Sequence, residues 1–220
     1  SDVPTLTDED TSNFATLNAV DSLGVTPTNG NLTTAYTAVS SSPKSTIAVK
    51  TGKWYMEWTV QGSGGGGGDF VIQTLGVISP TNATNSLFTS SPAVGYYGNP
   101  AGSNGEKYVN NVGSTYGTKW GAAGTYNIAA ALDLDGGTIT FYLNGVSQGA
   151  ITLPSSPDGW VFANTYGTNS GSSTVNHNFG QRPFAYTIPT GFKKLNTFNL
   201  PDSTILDGSK YYKNKLWTGN

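Results

Sequence analysis

Residues 132–145 read LDLDGGTITFYLNG, and this run restricts the fold more than any other part of the chain. Ile139, Phe141 and Leu143 alternate with Thr138, Thr140 and Tyr142; upstream, Ile128, Ala130, Leu132 and Leu134 alternate with Ala129, Ala131 and Asp133. A period of two puts successive side chains on opposite faces, so each half is a strand with one buried face. Asp135-Gly136 between them suits a two-residue hairpin turn, whose central residues need positive φ. Asn144-Gly145 is a second such turn, leading to Val146 and then Ala150, Ile151, Thr152 and Leu153. The spacing predicts three strands in a meander.

The aspartates of this run invite two chemical readings. A calcium loop of the EF-hand kind needs glycine at its sixth position and glutamate at its twelfth. Counted from Asp133, those positions hold Thr138 and Asn144. An acid–base pair needs two carboxylates flanking a cleft, whereas Asp133 and Asp135 sit by a turn with no partner acid nearby in sequence. The two therefore read as solvated or turn-capping groups.

The strand texture extends along the chain. In KWYMEWTV, residues 53–60, Trp54, Met56, Trp58 and Val60 alternate with Tyr55, Glu57 and Thr59. Shorter strands are predicted at residues 14–17, 30–35, 46–50, 70–78, 94–98, 106–110, 160–163 and 174–179. Between them lie turn-forming stretches: GSGGGGGD at residues 62–69, an Asn/Ser/Thr-rich loop at 79–92, a Gly-rich run at 112–124 that contains Tyr116 and Trp120, and a Gly/Ser loop at 166–173. The glycine run lacks the Lys-Ser/Thr ending and the strand-to-helix setting of a phosphate loop. Strands this short, recurring with turn signals, predict an all-β fold: an antiparallel two-sheet β-sandwich. Residues 1–13 read as a polar tail, 14–194 as the sandwich, and 195–220 as an irregular C-terminal arm or the start of a following region.

Composition removes several classes of function. Glycine makes up 29 of 220 residues, yet aromatics stand at 12%, so the chain is turn-rich rather than disordered. Eleven basic residues are scattered and the formal net charge is −2, which leaves no electrostatic footprint for nucleic acid. No apolar run approaches the length of a membrane span. With no cysteine and one histidine, His177, thiolate and multi-histidine metal sites are excluded. His177 itself reads as a surface or hydrogen-bonded residue. No cofactor is expected.

Five motifs then fall in order: G-K-W-Y-x-E-W at 52–58, L-G-V at 75–77, V-G-Y at 94–96, A-L-D-L-D-x-G-T-I-T-F-Y-L-N-G at 131–145 and N-F-G-Q-R-P-F at 178–184. Over roughly residues 14–200 the chain resembles a SPRY domain, in the form found in phage and environmental viral proteins. The resemblance implies a bent sandwich similar to the concanavalin A-like jelly roll. It also implies a binding module rather than an enzyme, one that meets peptides or proteins through loops at one edge. Viral versions resemble parts of tail fibres, head fibres or capsid decoration proteins. The resemblance thus places the chain on the virion, with other virion proteins or a host surface glycan or protein as partner. The very Gly/Ser-rich loops and the lack of cysteine depart from eukaryotic SPRY proteins, so the partner does not transfer.

Loops on a rigid sandwich are where binding chemistry is placed. The candidates for ligand contact are Tyr97, Asn99, Tyr116, Trp120, Tyr166 and Asn169; the competing role for each is core or rim packing. Two other readings remain. One is a glycan-active enzyme on a lectin-like sandwich, for which the chain offers only Glu9, Glu57 and Glu106 besides its aspartates; Glu57 lies in a motif strand, where a structural hydrogen-bonding role is expected. The other is a soluble, non-viral SPRY module. A structural capsid or tail role, with self-association into a closed oligomer such as a trimer, also suits the arm-like tail.

Overall fold

The computed structural model describes residues 8–21, 24–36, 43–63, 73–98, 102–166 and 172–201. Within them the chain forms β1 (Thr33–Tyr36), β2 (Lys53–Ser63), β3 (Gln73–Ile78), β4 (Ala93–Tyr97), β5 (Glu106–Val109), β6 (Val112–Thr115), β7 (Gly124–Asp133), β8 (Thr138–Leu143), β9 (Val146–Thr152), β10 (Val161–Tyr166), β11 (Ser172–Asn178) and β12 (Lys193–Lys194). Two sheets face each other. One runs β1-β11-β2-β7-β8-β9, with β12 also beside β2; the other runs β10-β3-β4-β5-β6. Every pairing is antiparallel except the short β12–β2 contact. The fold is the predicted all-β two-sheet sandwich.

The meander is β7–β8–β9, in the register the alternation requires: Ile128 opposite Leu143, Ala130 opposite Phe141, Leu132 opposite Ile139. Asn144 and Gly145 have φ of 49° and 82°, the two positive values of a primed two-residue turn. The first turn differs from expectation. It has four residues, 134–137, and only Gly137 has positive φ, at 65°. The reason is capping. Asp133 Oδ1 accepts the Gly136 N–H at 2.7 Å, and Asp135 Oδ1 accepts the Gly52 N–H at 2.8 Å. Asp133, at the end of β7, and Asp135, within the wider loop, are both turn-capping groups.

The core lies between the sheets. Trp54, Met56, Trp58 and Val60 of β2 meet Leu75, Val77, Val94, Tyr96 and Phe162 of the opposite sheet. Trp58 and Phe162 pack edge to face at 5.9 Å. A side chain of this size, fully removed from water, contributes roughly 3 kcal/mol.

Each sheet also has an outer cover. On the five-stranded sheet the glycines of the paired positions 76 and 95 leave a trench. A Cβ on Gly76 would lie 2.0 Å from Val94 O, and one on Gly95 would lie 2.4 Å from Thr74 Cγ2. The 79–92 loop fills the space above, with Leu87 buried and its N–H given to Thr165 Oγ1 at 2.9 Å. Lys44, 5% exposed, holds the loop by giving its ammonium protons to Pro80 O, Asn82 O and Asp21. On the seven-stranded sheet the cover is the segment between β11 and β12, where Phe184, Ile188 and Phe192 pack on Tyr55, Ala129 and Ala131.

Three further expectations change. Residues 14–17 and 46–50 make isolated bridges rather than strands. Side-chain hydroxyls take ladder bonds there: Thr16 N–H goes to Thr46 Oγ1 and Phe162 N–H to Ser45 Oγ. The Gly-rich run at 112–124 contains strand β6, because Asn110 and Asn111, with φ of 49° and 68°, fold the chain back on β5. Leu195 and Asn196, read as the start of the arm, are fully buried. Residues 202–220 lie outside the described residues.

Candidate functional site

The acidic groups come first, since they decide what chemistry is available. Glu57 is on the outward face of β2 but is only 2% exposed. Its Oε1 accepts from Tyr55 OH at 3.1 Å and from Tyr186 N–H at 3.1 Å; its Oε2 accepts from Ala185 N–H at 2.8 Å. The carboxylate is a clasp that holds the covering segment against the sheet. Asp133 pairs with Lys53 at 2.7 Å. That ammonium, aided by the Gly136 N–H, holds its carboxyl below the usual range. Asp133 faces Lys53, four residues along β2 from Glu57, so roughly 13 Å of strand separates the two acids.

The N-F-G-Q-R-P-F stretch is likewise occupied with the chain itself. Asn178 Nδ2 donates to Arg182 O and Pro183 O, each at 3.2 Å, while its Oδ1 accepts the Gly180 N–H. Gln181 accepts the Phe179 N–H at 2.7 Å and donates to His177 O at 2.9 Å. His177 is 1% exposed, with Nδ1 3.2 Å from Leu32 O and Nε2 3.1 Å from Asn164 Oδ1. Burial pushes its pKa down to about 4, so the ring is neutral.

The six candidate residues do not form one cluster. Tyr116, Trp120 and Tyr166 are core residues, exposed by 8%, 2% and 0%. Tyr116 OH donates to Gly149 O at 2.5 Å and so ties the edge of one sheet to β9 of the other; burial pushes its phenol up to about 12. Trp120 packs against Tyr96 and Tyr126, and Tyr166 stacks on Tyr36 at 5.3 Å. Their rings have no face left for a ligand, because sandwich aromatics fill the gap between sheets. Asn99 and Asn169 lie outside the described residues.

Tyr97 is the candidate that reaches the surface. It belongs to a half-buried triad on the outer face of the five-stranded sheet. Phe88 lies 5.5 Å from Tyr97 and 5.0 Å from Tyr108, and Tyr97 lies 6.1 Å from Tyr108, all edge to face. Burial, and then the charge of Glu106, raise both phenols above their ordinary pKa. The loop supplies Phe88, and the pairing of β4 with β5 supplies Tyr108 and Glu106. Sequence reasoning missed both: Tyr108 stands on the predicted strand 106–110, which was the available signal, and Phe88 sits in a polar loop with none.

A second open surface lies on the seven-stranded sheet, where the cover ends. Arg182 and Pro183 overhang a cleft of about 410 Å³ whose floor includes Thr59, Asn127 and Asn176. Thr59 is directly opposite Asn176 on one side and Asn127 on the other, so the three make a row across β11, β2 and β7. Sequence reasoning missed these residues; the outward parity of Thr59 and the single arginine were the available signals. Among the described residues no three His, Cys, Asp or Glu side chains converge as metal ligands.

Neither protein-family models nor curated proteins match the sequence. Solved structures do match the fold. The SPRY domain of human HERC1 superposes with a TM-score of 0.58 at 14% identity, over 76% of this chain and 99% of that one. The PSpry domain of TRIM65 gives 0.53 at 15% identity, over 76% and 94%. A further human SPRY domain gives 0.52 at 17% identity, over 71% and 96%. At these identities the likeness is one of fold: the sandwich is SPRY-like.

Proposed function

We propose that the chain is a non-catalytic binding module, carried on a virus particle as part of a tail or head fibre or a capsid decoration protein. One observation carries the non-catalytic part. The buried carboxylate that could have served as an acid or base, Glu57, has its two oxygens taken by three protein donors. Asp133, four strand positions away, sits beyond the roughly 5–9.5 Å that glycoside hydrolysis requires and is paired with Lys53. What faces solvent instead is aromatic and amide surface held on a rigid frame, the composition of a binding face. The SPRY-like fold and the order of the five motifs support the same reading. The virion setting rests on the likeness of those motifs to phage-type domains.

Imaging purified virions by electron cryomicroscopy tests it. Many copies packed between capsomers, or a few at the tail tip, are the expected outcomes, the first for a decoration protein and the second for an adhesin. Absence from the particle overturns the virion role and leaves a soluble binding module. Turnover of a polysaccharide by the purified chain, lost in Glu57→Gln, overturns the non-catalytic reading.

A further inference from the structure

The cleft under Arg182 has an unequal supply of hydrogen-bonding groups. Most of its side-chain acceptors already serve protein donors. Glu57 serves Tyr55, Ala185 and Tyr186; Asn178 Oδ1 serves Gly180; Asn176 Oδ1 accepts from Thr33 at 2.8 Å. Asn127 Oδ1 is buried without a partner, which leaves Nδ2 as the end of that amide turned to the cleft. The donors are in surplus. Arg182 is exposed, its guanidinium makes a single bond, to His177 O, and no carboxylate pairs with it among the described residues. Asn127 and Asn176 add amide donors on either side of the Thr59 hydroxyl.

A surface rich in donors and poor in acceptors selects a ligand with the opposite balance. A guanidinium beside two amides matches a carboxylate, which accepts at two oxygens and donates nothing. A peptide brings one N–H for every carbonyl, and among the exposed and half-buried side chains here only the Thr59 hydroxyl is left to accept from those N–H groups. A sugar ring brings hydroxyls that accept from the amides while turning their own protons to water. Beyond the cleft the same face continues, among the described residues, as the polar side chains of Gln61, Thr125 and Thr174.

We propose, resting on the reading of the chain as a binding module, that this cleft binds an acidic sugar. Its carboxylate lies on Arg182 and its hydroxyls lie over Asn127, Thr59 and Asn176. Glu57 lines the same cleft with its oxygens held by three protein donors, and the Arg182 guanidinium supplies the positive charge that a ligand carboxylate meets there.

Titration of the isotope-labelled full chain, followed by NMR, provides the test. The probes are sialyllactose, digalacturonate, lactose and a hexaglutamate peptide. The expected result is that an acidic sugar shifts the side-chain amides of Asn127 and Asn176 and the Arg182 Nε–H, while lactose and the peptide leave them in place. Arg182→Ala should weaken that binding at least about tenfold. The isosteric Asn127→Asp, which adds an acceptor and a charge, should abolish it with the amide spectrum otherwise native. Equal binding of lactose, binding of the peptide in place of the sugars, or unchanged affinity in Arg182→Ala would each overturn the assignment. A chain found on virions that ignores both acidic sugars refutes the cleft and leaves the module reading standing. A chain absent from virions that binds them does the reverse.

Discussion

Acidification tests how the interior is built around His177. The ring, carried by β11, lies between the Leu32 carbonyl and Asn164, and Asn164 in turn donates to Tyr36 OH at 2.7 Å. A neutral imidazole has one N–H to give; the protonated ring would bring a charge into a fully buried site. Burial therefore lowers the pKa from 6.5 to about 4, and the bonds to backbone carbonyls offset only part of that effect. In the unfolded chain the ring titrates near 6.5. Between pH 6.5 and 4 the unfolded state binds a proton that the native state does not, so stability rises with pH across that window and is lost as pH falls. The contribution is intact above 6.5 and levels off below 4, where the native ring also protonates. A gap of about 2.5 pH units, at about 1.4 kcal/mol each, amounts to roughly 3 to 4 kcal/mol, of which about 3 kcal/mol is lost by pH 4. The assay is urea denaturation of wild type and His177→Gln from pH 7.5 to 4. The carboxylates titrate in both proteins, so the difference between the curves isolates the ring. Wild type should lose about 3 kcal/mol more than the variant over the window. A difference that does not change with pH refutes the claim that the ring is buried and neutral.

Three further outcomes are expected. Glu57→Gln keeps the shape but turns an amide N–H₂ toward the Ala185 or Tyr186 N–H, and should cost about 3 kcal/mol; chymotrypsin should then cut at Phe184 or Tyr186 where wild type resists. Gly76→Ala sets a methyl 2.0 Å from Val94 O and should cost about 3 kcal/mol or more, read as a lowered denaturation midpoint. Tyr116→Phe removes the hydroxyl that donates to Gly149 O and should cost about 1–2 kcal/mol, with faster hydrogen exchange at the β9 amides.

The sheets were legible where one face meets the core and the other meets water. In β8 the alternation of Ile139 and Phe141 with Thr138 and Thr140 is the burial pattern itself. It fails where both faces are covered. Residues 73–78 and 161–166 are buried throughout, polar Gln73, Asn164 and Thr165 included. Their outer faces lie under loop 79–92, and no local pattern in the strands announces that cover. Tyr116 and Trp120 were taken for loop aromatics because they stand in a Gly-rich run without a period. Long-range packing against Tyr96 decides their burial. The amide row of the cleft was hidden for a related reason. Thr59, Asn127 and Asn176 lie far apart in the chain and become neighbours only through strand register.

The residues that carry the family resemblance are used up in making the sandwich. Gly52 caps on Asp135, Lys53 pairs with Asp133, Trp54 and Trp58 fill the core, Glu57 clasps the covering segment, and Asn178 and Gln181 shape its start. Each of these contacts holds the sandwich itself together. Two chains can then share this fold at 14–17% identity and have no ligand-contacting residue in common. On the proposed reading as a binding module, specificity comes from positions the motifs leave free. Here these are the face of Phe88, Tyr97 and Tyr108 and the donor row beneath Arg182. Arg182 is the one residue that belongs to both groups. Its backbone is held by the Asn178 clasp, its guanidinium bonds His177 O, and the residue lines the cleft. A charged group held in this way loses less freedom on binding than one on an open loop, which is the physical reason to look for the ligand there first.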